Sequence, residues 1–110
     1  MTVLDPDVAA QLAEDLPPDV FALIVATFET DCARILAELS AAAEDSDAFA
    51  RAAHTLAGAA AAVGARVLAE LARRGMGATD GEDRAILLPL LRVQSRAAVG
   101  ELKALAARPR

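Results

Sequence analysis

The sequence predicts an all-α protein: an antiparallel four-helix bundle with a short additional N-terminal helix. Three observations predict it. The composition is rich in alanine and leucine, 55% hydrophobic overall and only 3% aromatic, and alanine loses no side-chain freedom on becoming helical. Along four longer segments the large apolar residues recur every three or four positions, the spacing of a single buried stripe on a helix. Proline, glycine and polar clusters separate these segments, and short connections join amphipathic helices as antiparallel neighbours.

Asp5-Pro6 starts the first helix, about residues 6–15, because Asp caps free N–H groups and Pro suits the first helical position. Val8 and Leu12 are its expected inward face. Leu16-Pro17-Pro18-Asp19 ends it and starts the second helix, about residues 18–43, again with Pro early and an acid in the first turn. Phe21, Ile24, Phe28, Ile35 and Leu39 keep helical spacing there, with Cys32 near the same stripe. Cys32 reads as a small buried hydrophobe, since no metal-type Cys/His spacing surrounds it.

Glu44-Asp45-Ser46-Asp47 is a polar turn. Asp45 or Ser46 is the expected cap of the third helix, about residues 47–62. Gly64 interrupts the chain, and a fourth helix from Ala65 to about Gly75 is expected to turn Val67, Leu68 and Leu71 inward. Arg73-Arg74 sit near its end, where cations complement the helix dipole, with partner binding as the alternative role. The clearest loop runs from Gly75 to Gly81. The last helix, about residues 82–106, carries Leu87, Leu88, Leu91, Ala98, Leu102 and Leu105 as its stripe. Pro89 is expected to kink it or divide off its first turn. Arg108-Pro109-Arg110 reads as a frayed tail.

At 110 residues the chain suits one domain (1–110) with a modest core. The net charge of −5 and pI of about 4.7 argue against nucleic acid or an anionic membrane as partner. No apolar run reaches the roughly 18 residues that span a bilayer. The first residues lack a basic stretch followed by an apolar core, so no signal peptide is expected. A single cysteine cannot form an internal disulfide. A cytoplasmic monomer is the expectation.

The stretch Arg51–Gly64 contains the one histidine of the chain, His54. On a helical wheel Phe49, Leu56 and Val63 fall about 140–180° from it. His54 is therefore expected at the middle of the solvent-facing stripe. Asp47, Ala50, Arg51, Ala57, Gly58 and Ala61 surround it there as a floor of mostly small side chains. A metal site would need further ligands. A hydrolytic triad is unsupported, because Thr55 points about 100° away and no nucleophile elbow is present. An idle surface histidine is the plain alternative. The chemistry left for an exposed imidazole is nucleophilic: a free ring nitrogen can attack a phosphoryl group and carry it. The chain has no phosphate-cradling Gly-rich loop or Walker-type motif, so no ATP site and no independent kinase activity are expected.

Ala53-His54-Thr55-Leu56-Ala57-Gly58-Ala59-Ala60, then Val63-Gly64-Ala65 and Leu68, resembles the histidine phosphotransfer (HPt) domain of multistep phosphorelays. That family's pattern is approximately A-H-x-L-K-G-S-A-x-x-x-G-A-x-x-L. The resemblance implies a four-helix bundle with His54 as phosphoacceptor. It implies as partners the receiver domains of response regulators and a hybrid histidine kinase. It implies no cofactor held by this chain, Mg²⁺ coming with the receiver domain. Gly58 would leave room for the phosphoryl group, and Gly64 would close the histidine helix. Asp47, Ala50, Ala57 and Ala61 would form the docking surface. One departure stands out: the family usually has Lys or Arg three residues after the histidine, where this chain has Ala57. Arg51, one turn before His54, is the candidate replacement. Two other readings stay open. One is an HPt-like module that docks a receiver or kinase without transferring phosphate. The other is a dimerisation fragment of a histidine kinase, against which Thr55 stands where that motif has an acid.

Overall fold

Capping residues set where the helices begin. In a computed structural model that describes residues 2–109, the Asp5 carboxylate accepts from the N–H groups of Asp7 (3.0 Å) and Val8 (3.4 Å), opening α1 (Pro6–Asp15). Proline alone starts α2 (Pro18–Ala41), which has no side-chain cap. Asp45 caps α3 (Ser46–Ala62) through the Ala48 N–H at 3.1 Å. After α4 (Arg66–Met76), Asp80 caps α5 (Gly81–Ala106) through the Glu82 N–H at 2.8 Å. The expected boundaries hold to within two residues. Arg110 of the expected tail lies outside the described residues.

The helices form a bundle. α2 packs against α3 and α5, and α4 packs against the same two. α3 and α5 have at most marginal contact, so they occupy opposite corners of a four-helix ring. Ile35, Leu39, Phe49, Leu56, Leu68, Leu91 and Leu102 fill its middle, each fully buried. Cys32 belongs to this core, and burial pushes its thiol up to about 11, which holds it protonated. Among the described residues no helix is long and apolar enough to cross a membrane.

Small residues correct the expected faces of two helices. On α1 it is Ala9 that faces the core, while Val8 stays 37% exposed and Leu12 is half-buried. On α4, Leu68 is inside as expected, but Ala69, Ala72 and Gly75 complete the inner face and Val67 and Leu71 are half-buried. Close helix approach favours the smallest side chains at the contact. An added Cβ on Gly75 would stand 3.1 Å from the Ala53 Cβ and 3.3 Å from the Phe49 ring. On α5, Leu88 and Leu105 are likewise only half-buried. Pro89 does not divide this helix, which is continuous from Gly81 to Ala106. Both Pro89 and Ala85, whose carbonyl loses a helical partner, are exposed to water, and Leu87 and Leu91 hold the flanking turns in the core.

Each end of the ring has its own tie. At one end Gly64, at φ 75°, closes α3: Ala65 N–H donates to Ala60 O (2.8 Å) and Gly64 N–H to Ala61 O (3.2 Å). α1 seats on this turn. Asp5 N–H donates to the Gly64 carbonyl at 2.6 Å, and a Cβ on Gly64 would meet Val8 at 3.0 Å. Elsewhere in the ring Arg84, 6% exposed, reaches across the α2–α3 and α4–α5 connections. Its Nε donates to Ala43 O (2.8 Å) and its Nη1 to Ala78 O (3.0 Å). Both carbonyls lie just past helix C-termini, where the macrodipoles favour a cation.

Candidate functional site

The site is built on α3. Its buried residues are Phe49, Ala52, Ala53, Leu56, Ala57 and Ala60. Phe49 and Leu56 anchor this face as expected, and Val63 joins them just past the helix at 5% exposed. The buried arc extends further toward α4 than the large residues alone indicate. Ala57, about 60° from His54 on the wheel, is 7% exposed and belongs to the core. That corrects its expected place in the exposed floor: α3 packs on α4 more extensively than any other helix pair does, and this contact covers the side of α3 that carries Ala53 and Ala57. His54 is exposed, but it stands beside the α4 seam rather than at the centre of the solvent stripe. Gly58 and Arg51, about 40–60° round the wheel, are nearer that centre and are exposed too.

Of the remaining floor residues, Asp47 and Ala61 are exposed and Ala50 is half-buried. Among the described residues His54 makes no hydrogen bond or ion pair, so both ring nitrogens are open to a partner. Arg51 likewise has no ion-pair partner there. The Thr55 hydroxyl is committed to its own helix, donating to the Arg51 carbonyl at 3.1 Å. Gly58 has no packing reason to be glycine, because a Cβ there would meet nothing within 4 Å. A glycine inside a helix costs about 1 kcal/mol relative to alanine. What it provides is a gap one turn beyond the imidazole.

Two features beside this floor come from other helices and were not expected. On the α4 side, Ala61 shares a cleft of about 150 Å³ with Arg66 and Arg73. Arg73 thus lines a cleft at the end of the histidine helix, shared with Asp5, as well as lying in the last turn of α4. On the α2 side, Leu23, Ile24 and Thr27 form a groove of about 300 Å³ with Ala59 and Ala62. Leu23 is 66% exposed at its rim. The sequence carried a signal for it, a large apolar residue off the Phe21–Phe28–Ile35 stripe. Among the described residues no three His, Cys, Asp or Glu side chains gather as a metal site.

The arrangement is an accessible nitrogen nucleophile one turn from a gap, with the Arg66–Arg73 cleft further along the same helix at Ala61 and an apolar groove on the α2 side. It suits covalent group transfer with a docking protein better than capture of a small molecule, since His54 stands exposed on the outer surface of α3. A family model described as "Hpt domain" matches residues 23–107, which leaves α1 outside the match. No curated protein and no solved structure matches the chain.

Proposed function

Because the chain belongs to the Hpt domain family, whose members transfer phosphoryl groups through histidine in phosphorelays, we propose that His54 carries a phosphoryl group between receiver-domain aspartates. The observation that carries this reading is the exposed His54 set over the empty space at Gly58, inside the family match. A ring nitrogen of His54 attacks the phosphorus of an aspartyl phosphate. The N–P bond forms as the O–P bond breaks, and the aspartate leaves as carboxylate. The reverse sequence on a second receiver returns the group. Positioning and charge neutralisation supply most of the acceleration in such transfers. Mg²⁺ held by the receiver neutralises part of the phosphoryl charge, and this chain contributes Arg51 in place of the cation missing at Ala57. Asp47, Ala50 and Ala61, with the Leu23 groove, form the docking surface for a response regulator or hybrid histidine kinase. The carrier is cytoplasmic, and residues 1–110 form one domain of it. Its bundle is antiparallel, which the short connections and the ring of contacts support.

Incubation with a phosphorylated receiver domain and Mg²⁺ tests this directly. Acid-labile, alkali-stable label is expected on the wild type. Arg51→Ala should slow its appearance by roughly tenfold, the loss of about 1.4 kcal/mol of transition-state stabilisation. The same rate in both proteins would remove Arg51 from the mechanism. Receiver binding without any label would favour the non-transferring docking module, the second reading that Ala57 motivates.

The docking surface has its own test. Gly58→Gln and Ala61→Arg place long side chains where the floor is open, and neither residue makes a contact that folding needs. Both should block transfer. Ala61→Arg should melt within about 0.5 kcal/mol of wild type, as for surface substitutions generally, and Gly58→Gln should melt no lower than wild type, since replacing a helical glycine regains up to about 1 kcal/mol. Unimpaired transfer in both variants would count against this face.

A further inference from the structure

We propose that α5 is a self-association helix through which two copies of this chain pair side by side in parallel. The outer face of α5 carries three exposed large apolar residues, Ile86 (57%), Leu90 (45%) and Val93 (56%). Single exposed hydrophobes need no explanation. These three are spaced four and then three residues apart, and the same alternation continues through Ala97, Gly100 and Ala104. That is the a/d pattern of a coiled-coil seam. It lies opposite the Leu91–Ala98–Leu102 face that α5 gives to its own core.

Gly100 adds an independent sign. It sits in the middle of the seam's small half, and a Cβ there would meet nothing within 4 Å. Nothing inside one copy explains a glycine that weakens its helix. Between two copies it lets the backbones approach closely.

Charge settles which occupant fits and in which direction. One edge of the seam carries Arg96 and Lys103, and the other carries Gln94 and Glu101. In a parallel pair each edge residue meets the opposite edge of the partner five positions further on. Arg96 of one copy then meets Glu101 of the other, and the two-fold axis makes this pair twice. An antiparallel pair would set the two basic edges against each other. Lys103 is already held by Glu29 at 2.8 Å, whereas Arg96 has no ion-pair partner among the described residues. Glu101 accepts from the Thr2 hydroxyl through one carboxylate oxygen and from the Val3 N–H at 2.9 Å through the other, which holds the acid on that edge and leaves a second lone pair on each oxygen for the cation of the other copy. The seam is about 27 Å long at 1.5 Å per residue, so its area falls below that of permanent dimers and the association is reversible. The proposal departs from the monomer expected from the sequence. α3 lies at the opposite corner of the ring, so His54 stays accessible in both copies.

Sedimentation of the full chain over a wide concentration range tests the proposal. A shift from 11.3 kDa toward twice that mass is expected as concentration rises. Val93→Glu should weaken it at least about tenfold, with helicity and phosphotransfer unchanged. Arg96→Glu and Glu101→Arg should each weaken self-association, because each variant sets like charges against each other on both edges. Mixing the two variants should restore a dimer, because every edge contact of the mixed pair again joins an acid to a cation. Oxidation of Ile86→Cys should link two copies, since Cys32 is buried and parallel seams bring equal positions together. A mass of one chain at every concentration would overturn the proposal. So would a dimer that Val93→Glu leaves intact, or one in which Ile86→Cys links only to Ala104→Cys.

Discussion

His54→Gln should abolish phosphorylation while leaving the fold as it is. The nucleophile is a ring nitrogen that glutamine does not have, and no second imidazole exists in the chain to take its place. Label acquired from a phosphorylated receiver should therefore fall to background, not to a reduced rate. Folding gives His54 nothing to lose. It is exposed, it has no hydrogen bond or ion pair among the described residues, and glutamine is at least as good a helix former. Melting should stay within about 0.5 kcal/mol of wild type, as for surface substitutions. Docking should survive too, because the floor around Gly58 and Ala61 is untouched. Binding without label by the variant, measured beside labelled wild type, separates chemistry from recognition. Persistent acid-labile label on His54→Gln would place the phosphoacceptor elsewhere.

Arg84→Met should have the largest effect on stability. Methionine keeps much of the buried volume but removes both donors. The carbonyls of Ala43 and Ala78 would then be left without the partners they have at 2.8 and 3.0 Å. Hydrogen bonds from a charged donor contribute about 1.5–3 kcal/mol each, and stranding the acceptors adds desolvation cost. A loss of about 3 kcal/mol is expected, and at 4–8 °C per kcal/mol for a domain near this size Tm should fall by about 15 °C. Thermal unfolding by circular dichroism measures it. A fall of only a few degrees would mean that water reaches these carbonyls and that the arginine is not a structural tie. Phosphotransfer assayed well below the new Tm should be nearly unchanged, since Arg84 lies away from the α3 floor.

What the sequence revealed depended on the size of the side chains involved. Helix limits were legible because Asp5, Pro18, Asp45 and Gly64 act locally, through caps, a fixed φ and a left-handed turn. The inward faces of α2 and α5 were largely legible because phenylalanine, isoleucine and leucine mark them, although Ile24, Leu88 and Leu105 are only half-buried and Val25 is buried beside Ile24. The faces of α1 and α4 were misread because periodicity follows large residues, while close packing buried Ala9, Ala69, Ala72 and Gly75. Ala57 failed for the same reason. Arg84 was invisible because its acceptors lie 41 and 6 residues away, so no local pattern points to them. At the site, His54, Gly58 and Gly64 are contiguous and were legible as a motif. The Arg66–Arg73 cleft and the Leu23 groove exist only once α4 and α2 are set beside α3.

The placement of α3 and α5 at opposite corners of the ring has a consequence for how such a chain can change over generations. Substitutions at sites more than about 7–10 Å apart with no shared partners combine almost additively. The histidine floor and the outer face of α5 meet this condition, because the core of the bundle stands between them. A change in which receiver is recognised need not disturb the α5 seam, and a change in the seam need not alter the chemistry at His54. Duplicated copies of the gene could thus diverge on one corner while the other stays under its own constraint.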